Sequence, residues 1–131
     1  MTDIRVKIRG IFKIFSLFTQ FIFIVYLVAN LWVLFVNLDN EIRLHMQSNH
    51  DQKVPYFISN GNDWDLDGLS NSEFIITILY FTFTSLSTVG FGDYYPITDE
   101  ERVVGAFMLL FGVAIFSYLM GKLFDVLQSE L

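Results

Sequence analysis

The stretch Thr88-Val89-Gly90-Phe91-Gly92-Asp93 decides the fold of this sequence. Its two glycines alternate with bulkier residues, and glycine adopts the left-handed backbone conformation without steric cost. A backbone that alternates in hand turns successive carbonyl oxygens toward one axis, while Val89 and Phe91 point away from it. Four such strands around one axis would form stacked cages of oxygen atoms. The alternative interpretation is an ordinary tight turn rich in glycine.

The composition places this stretch in a membrane protein. The chain has 131 residues, 53% of them hydrophobic, and no cysteine. No charged residue occurs over 14–36, which spans about 34 Å as a helix and can cross the hydrocarbon core of a bilayer. A second apolar segment covers 103–127. Both predict transmembrane helices, because a signal peptide has a shorter apolar stretch and a soluble helical hairpin imitates one such segment more readily than two. Trp32 is a candidate for a membrane interface.

A shorter helix is predicted between the two spans, over 73–87. Ser70 and Glu73 have the spacing of a capping box, which marks the start of a helix. Its last turns are polar and lead directly into the stretch 88–93. A helix that enters the membrane part way is tolerated where protein or a water-filled cavity surrounds it. The sequence therefore predicts an all-α membrane protein with a re-entrant helix between two transmembrane helices.

The basic residues predict how the chain is oriented in the membrane. They are concentrated ahead of the first span and sparse in the acidic loop 37–72: Arg5, Lys7, Arg9 and Lys13 against Arg43 and Lys53. By the positive-inside rule both termini of this multi-pass protein lie on the cytoplasmic side, in the plasma membrane or an organelle membrane. Residues 1–13 predict a basic amphipathic interfacial helix. The alternative is that these charges only set the topology.

The order of these elements resembles the pore module of tetrameric potassium channels. Leu79-Tyr80-Phe81 and Thr84-Ser85-Leu86 ahead of Gly90-Phe91-Gly92 most resemble the ether-à-go-go branch of the voltage-gated channels. The resemblance implies the potassium channel pore fold, with a re-entrant pore helix over 73–87 and a selectivity-filter loop over 88–93. It also implies a homotetramer in a lipid bilayer that conducts K⁺ passively, with ion ligands from Thr88, Val89, Gly90, Phe91 and Gly92.

The resemblance also implies roles outside the ion ligands. Three residues are expected to support the filter: Asp93, Phe81 and Thr84. Phe81 and Phe91 can pack together in place of the tryptophan–tyrosine hydrogen bond of many potassium channels. Gly112 is the candidate gating hinge, and the alternative is close helix packing through a small residue. Phe116 is expected to line the cavity beside the filter. Voltage-sensor domains or additional channel subunits are the further partners that the resemblance implies.

Other function classes find less support in the sequence. The net charge of −6 argues against nucleic-acid binding. The acidic residues lie in a loop and at helix ends, without paired catalytic acids or a nucleophile elbow, which argues against an enzyme. No cofactor is expected beyond K⁺ ions in the filter. Two alternatives stay open: a non-conducting structural or regulatory subunit of a larger membrane complex, and a less selective cation channel.

The loop between the spans carries an acidic motif, Asp63-Trp64-Asp65-Leu66-Asp67-Gly68. It fits the first six positions of an EF-hand calcium loop, but Phe74 occupies the position of the closing glutamate. The sequence therefore favours a ring of carboxylates that concentrates cations at the outer mouth, or a solvated loop, over a specific Ca²⁺ site. His45 and His50 lack metal-ligand spacing and are expected at the surface. No metal ion other than the permeating K⁺ is predicted.

Overall fold

The computed structural model describes three parts of the chain: residues 2–46, 55–59 and 64–130. These form three helices: α1 over Thr2–Met46, α2 over Asn71–Leu86 and α3 over Asp99–Glu130. Within the described ranges, extended pairing is limited to an isolated bridge between Ser59 and Asp65. The predicted all-α architecture, with two long helices flanking a short one, is therefore confirmed.

Helix α1 is one continuous helix of 45 residues, about 68 Å long. This corrects the predicted division into an interfacial helix over 1–13, a span over 14–36 and a loop that begins at 37. The helix crosses both boundaries because no proline occurs before Pro55 and because its last turns bond to α3. Residues 2–13 are therefore the first turns of α1, and they form no separate interfacial helix.

Polar contacts join α1 and α3 at the loop end of the molecule, where α1 ends and α3 begins. Arg43 Nε donates to Asp39 Oδ2 over 2.9 Å, and the Arg43 guanidinium also pairs with Glu100. The Thr98 hydroxyl donates to the same Asp39 oxygen over 3.3 Å. At the opposite end, Lys13 of α1 and Lys122 of α3 line one cavity. The two long helices therefore form an antiparallel hairpin.

The surfaces of α1 and α3 are those of a membrane protein. By length and composition, two helical segments can cross a membrane: Lys7–Met46 and Asp99–Ser129. Their outward faces carry large apolar side chains that are 60–71% exposed, including Phe15 and Phe18 of α1 and Phe107 and Leu110 of α3. Exposed apolar surface of this extent is stable against lipid and unfavourable in water.

An aromatic core lies between α1, α2 and the α1–α2 connection. Trp32 of α1 is 2% exposed. Its ring centroid lies 5.3 Å from that of Phe57 in the connection and 5.6 Å from that of Phe81 in α2. Phe57 and Phe81 are 4.7 Å apart. Trp32 therefore belongs to this core, because the connection folds back over α2 and supplies an apolar partner that buries the indole. Its position relative to a membrane interface stays a prediction.

Helix α2 begins at the predicted capping box. Ser70 Oγ accepts the Glu73 N–H at 3.4 Å, and Glu73 Oε2 accepts the Ser70 N–H at 3.0 Å. Hydrogen bonds from the Ser70 hydroxyl and N–H hold the pKa of the Glu73 carboxyl below its ordinary value. A lowered pKa means that this support is present at neutral pH and is lost as the pH falls through that pKa. The helix ends at Leu86, so the predicted bounds 73–87 shift by one or two residues.

Helix α3 begins at Asp99, four residues before the predicted start at 103. Thr98 and Glu101 form a second capping box, in which the Glu101 N–H donates to Thr98 Oγ1 at 3.2 Å and the Thr98 N–H donates to Glu101 Oε2 at 3.1 Å. The cap satisfies N–H groups that have no partner inside the helix. The charged residues of the first turn are therefore helical, and the helix continues past 127 to Glu130.

Candidate ion-binding site

The filter segment, residues 88–93, directly follows the C-terminal end of α2. The Thr84 carbonyl accepts the N–H groups of Val89 and Gly90, each at 3.0 Å. This carbonyl belongs to the last turn of α2, where helix carbonyls lack intrahelical partners. The Thr84 hydroxyl donates to the Phe81 carbonyl at 3.0 Å and stays within the helix. Thr84 therefore contacts the filter segment through its backbone oxygen.

The backbone of the filter segment alternates in hand. Thr88, Gly90 and Gly92 have φ angles of 63°, 54° and 75°. Sequence reasoning assigned left-handed conformations to the two glycines, and both adopt them. It missed Thr88, because a β-branched residue at positive φ is a steric outlier. Strained backbone of this kind persists where the surrounding structure enforces it, and it is concentrated at functional sites.

The side chains of the filter segment are exposed in a single chain. Val89 is 56% and Phe91 69% exposed, whereas Leu86 at the end of α2 is fully buried. The sequence predicts that Val89 and Phe91 pack against surrounding protein. Among the described residues, the ring contact of Phe91 is a stack on Tyr80, with centroids 6.4 Å apart and planes 4° from parallel. Most of the apolar surface of Val89 and Phe91 is therefore uncovered in a single chain.

Tyr80, which sequence reasoning did not select, contacts the filter in place of Phe81. Phe81 was predicted to pack on Phe91, but it lies in the aromatic core against Trp32 and Phe57 instead. The Tyr80 ring stacks on Phe91, and interaction of its hydroxyl with the Asp93 carboxylate raises the pKa of Tyr80. Successive residues of a helix point about 100° apart. The rotation of α2 about its own axis therefore decides which aromatic residue meets the filter.

Trp64 of the α1–α2 connection packs against the end of the filter segment. Its ring centroid lies 5.3 Å from that of Tyr94 and 4.8 Å from that of Tyr95, the two residues that follow Asp93. Its Nε1 donates to the Phe57 carbonyl over 2.9 Å. Sequence reasoning treated Trp64 only as part of an acidic motif. A tryptophan within a polar stretch is the signal that indicates packing there, since tryptophan is highly buried on average.

Glu101 joins the same connection to α3. The residue is 0% exposed. Its Oε1 accepts the Phe57 N–H at 2.9 Å, and its Oε2 accepts the N–H groups of Ile97 and Thr98 at 2.8 Å and 3.1 Å. A buried carboxylate requires donors of this kind to offset its lost hydration. Sequence reasoning gave Glu101 no role in the site, although its spacing from Thr98 matches a capping box.

The described part of the connection carries negative charge. Burial raises the pKa of the Tyr56 hydroxyl, and the nearby carboxylates of Asp67 and Asp65 raise it further. Asp65 Oδ1 accepts the Asp67 N–H over 3.2 Å and so closes a turn. Among the residues that the structure describes, no group of three acidic or histidine side chains could hold a metal ion. His45 is exposed on the last turn of α1. Three residues of the sequence hypotheses lie outside the described ranges: His50, Lys53 and Asp63.

Gly112 and Phe116 of α3 both lie near α2. A Cβ atom added to Gly112 would lie 2.9 Å from Leu86 Cα and 3.1 Å from the Leu86 carbonyl oxygen. This geometry supports close helix packing, the alternative to a hinge. Phe116 lines a cavity of about 390 Å³, whose walls come from all three helices of one chain.

Comparisons with known proteins agree with these features. Residues 55–129 match the ion channel family. The voltage-gated inwardly rectifying potassium channel KCNH6 of Gallus gallus is 29% identical over 120 residues, which cover 91% of this chain and 10% of that protein. The channel KCNH2 of Sus scrofa, with the same description, is 28% identical over 126 residues, covering 91% and 10%. The voltage-gated delayed rectifier potassium channel KCNH5 of Homo sapiens is 32% identical over 77 residues, covering 58% and 8%. The chain thus spans about a tenth of the length of these relatives.

Proposed function

Because the chain belongs to the ion channel family and carries the pore module of potassium channels, we propose that it is a potassium-selective pore subunit. Four copies surround one axis and pass K⁺ down its electrochemical gradient. The carbonyls of Thr88, Val89, Gly90 and Phe91 replace the hydration shell of the ion, and repulsion between neighbouring ions eases exit. The filter binds K⁺ as the permeating ion, and we propose no resident cofactor.

The alternation of backbone hand at Thr88, Gly90 and Gly92 is the observation that carries this proposal. Alternating hand brings successive carbonyls to one side of the segment, where they can surround a dehydrated cation. An ordinary β-turn has positive φ at two central residues at most, and not at three alternate positions. Helix α2 adds to the effect, because its last turn contains no basic residue and its C-terminus carries partial negative charge.

The exposed apolar side chains of the filter support a homotetramer. Val89 and Phe91 are more than half exposed in one chain, and contacts with neighbouring copies would cover them. One chain also supplies only one of the four carbonyl-bearing segments that would surround an ion. Assembly around a common axis in a lipid bilayer therefore completes both the packing and the ion site.

The charge distribution supports an orientation with both termini in the cytoplasm. Four basic residues precede the first span in sequence, at positions 5, 7, 9 and 13, which the positive-inside rule places on the cytoplasmic side. The connection between α1 and α2 then lies at the outer mouth, where its carboxylates raise the local cation concentration. The membrane is the plasma membrane or that of an organelle. Voltage-sensor domains or further channel subunits are proposed as partners, because the relatives are described as voltage-gated.

Reversal potentials in planar bilayers test the proposed selectivity. With tenfold opposing K⁺ and Na⁺ gradients, the purified protein is expected to reverse near the K⁺ equilibrium potential, at a magnitude of about 59 mV. Gly90→Ala forces a Cβ atom into the left-handed conformation and is expected to abolish the selective current. Gly68→Ala is the matched control, since Gly68 has no positive φ and its Cβ position meets no atom of the described residues within 4 Å.

The other two function classes predict different outcomes of the same recording. A reversal potential near zero that is insensitive to Gly90→Ala would indicate a less selective cation channel. A silent bilayer with confirmed insertion of a tetramer would indicate a non-conducting subunit, and either result would reject the proposal.

The interaction of the Tyr80 hydroxyl with the Asp93 carboxylate is expected to prolong conduction through the filter. Tyr80→Phe keeps the ring on Phe91 and removes the hydroxyl, so the K⁺ current should decline about fivefold faster during sustained opening, because a polar contact between α2 and the filter is lost. Time courses of current at fixed voltage measure this decline. Tyr118→Phe is the control, because it removes an exposed hydroxyl on α3 and leaves its ring available to Lys122. Equal decline in all three proteins would exclude a role for the hydroxyl.

A further inference from the structure

Gly112 touches the backbone of α2 at its last residue. Its missing side chain is what allows the contact, because a Cβ atom would lie 2.9 Å from Leu86 Cα, 3.1 Å from Leu86 O and 3.3 Å from Leu86 Cδ2. Two of these three atoms belong to the backbone and cannot move aside by a change of rotamer. Leu86 is also fully buried. An added methyl group therefore has to displace the end of α2 or push α3 away from it.

The end of α2 is also what holds the filter segment. Thr84, two residues before Leu86, accepts the N–H groups of Val89 and Gly90 through its carbonyl. The Ser87 N–H donates to the Phe83 carbonyl at 2.9 Å, so the helical hydrogen bonding continues past Leu86 toward the filter. Displacement of Leu86 therefore displaces the acceptor that fixes the first half of the filter. A short and stiff connection of this kind transmits a shift of a few tenths of an ångström.

We propose that Gly112 is a positioning residue for the filter and thereby determines ion selectivity. The inference rests on the proposed function and assigns to Gly112 a part in it that a gating hinge does not have. A hinge changes how often the pore opens and leaves the ion sites intact. A residue that positions the filter changes which ion the sites accept, because the carbonyl oxygens shift relative to one another.

Gly121 provides a matched control on the same helix. A Cβ atom at Gly121 would have no neighbouring atom within 4 Å among the residues that the structure describes. Replacement of either glycine by alanine stiffens α3 and raises its helix propensity. Both variants therefore have the same intrinsic effect on the stability of the α3 helix. Only Gly112→Ala adds a methyl group that contacts Leu86.

Bilayer recordings of the full chain provide the first test. Gly112→Ala is expected to lower the K⁺ over Na⁺ permeability ratio about tenfold, consistent with the strain of an overpacked site, while Gly121→Ala keeps the wild-type ratio. An unchanged ratio in Gly112→Ala together with an altered open probability would support the hinge and overturn the proposal.

Amide hydrogen exchange in lipid nanodiscs provides a second test that needs no current. The Val89 and Gly90 amides are expected to exchange about tenfold faster in Gly112→Ala than in the wild type or in Gly121→Ala. Because this measurement stands without conduction, a silent wild-type channel would reject the proposed function and leave the positioning role to be decided by exchange. Equal exchange rates in the three proteins would overturn it.

A second variant covers the case in which Gly112→Ala does not fold. Leu86→Ala removes the Cδ2 atom that faces Gly112 and leaves the end of α2 underpacked without adding a steric clash. The Val89 and Gly90 amides are again expected to exchange faster, by about tenfold. Leu127→Ala, at an exposed position of α3, is its control. Unchanged exchange in Leu86→Ala would show that this contact does not hold the filter.

Discussion

Glu101→Gln is expected to lower the free energy of unfolding by about 3 kcal/mol, because a glutamine cannot replace the three hydrogen bonds of this carboxylate. Both carboxylate oxygens accept backbone N–H groups, from Phe57 on one side and from Ile97 and Thr98 on the other. The amide of glutamine has one acceptor oxygen, so its NH₂ group must face at least one of these donors. A buried N–H without an acceptor then remains.

Thermal unfolding in detergent, followed by helical circular dichroism, measures this loss. Asp99→Asn is the control, since it removes one negative charge from the same turn at a side chain that is 91% exposed and forms a surface pair with Arg102. Such a pair contributes about 0–1 kcal/mol. A Glu101→Gln protein as stable as the control would mean that water replaces the lost acceptor.

The same variant is expected to loosen the connection at the filter exit. Phe57 loses its N–H acceptor, and the Phe57 carbonyl is the acceptor for Trp64 Nε1. Trp64 in turn packs on Tyr94 and Tyr95. Fluorescence of this tryptophan should shift to longer wavelength in Glu101→Gln, read in a Trp32→Phe background so that a single indole reports.

Trp32→Ala is expected to destabilise the fold by about 3–5 kcal/mol, the usual loss for a buried aromatic residue replaced by alanine. The indole is 2% exposed and contacts rings from α1, α2 and the connection, including Phe57 and Phe81. Lipid tails match the apolar character of the core, so the loss comes from dispersion contacts across the cavity rather than from water.

Trp32→Phe distinguishes the contribution of the aromatic ring to stability from that of the indole N–H. The buried Nε1 of Trp32 has no hydrogen-bond acceptor among the residues that the structure describes, so its removal leaves no acceptor unpaired. Trp32→Phe is therefore expected to lower stability by about 1 kcal/mol, well below the effect of alanine. Comparison of the two unfolding midpoints in detergent tests this. Equal losses would indicate that the indole nitrogen bonds to a group outside the described residues.

Local signals in the sequence predicted the helices and the filter. The uncharged run over 14–36 and the apolar run over 103–127 are long enough to span a bilayer, and Ser70 with Glu73 marks the N-cap of α2. The family resemblance drawn from the filter stretch is confirmed by the match over residues 55–129. These features were readable because each depends on residues a few positions apart.

The lengths of the helices and the contacts of individual aromatic residues could not be predicted from such local signals. The continuation of α1 to Met46 depends on bonds from Asp39 and Arg43 to α3, which lie far away in the sequence. Whether Tyr80 or Phe81 contacts the filter depends on how α2 is rotated about its own axis. The packing of α2 against α1 and α3 sets this rotation. A helical wheel gives the angle between two neighbouring side chains, but it does not show which of them faces the filter.

The sequence by itself determined the two apolar spans, the re-entrant helix and the left-handed glycines, because length, hydropathy, capping chemistry and the steric freedom of glycine act locally. Only the tertiary structure decided the rest. Thr88 adopts positive φ because its neighbours are held by Thr84, Glu101 is buried because the connection brings Phe57 to it, and Gly112 contacts Leu86 because α2 and α3 meet there. In each case the deciding energy comes from atoms that approach one another only when the chain is folded.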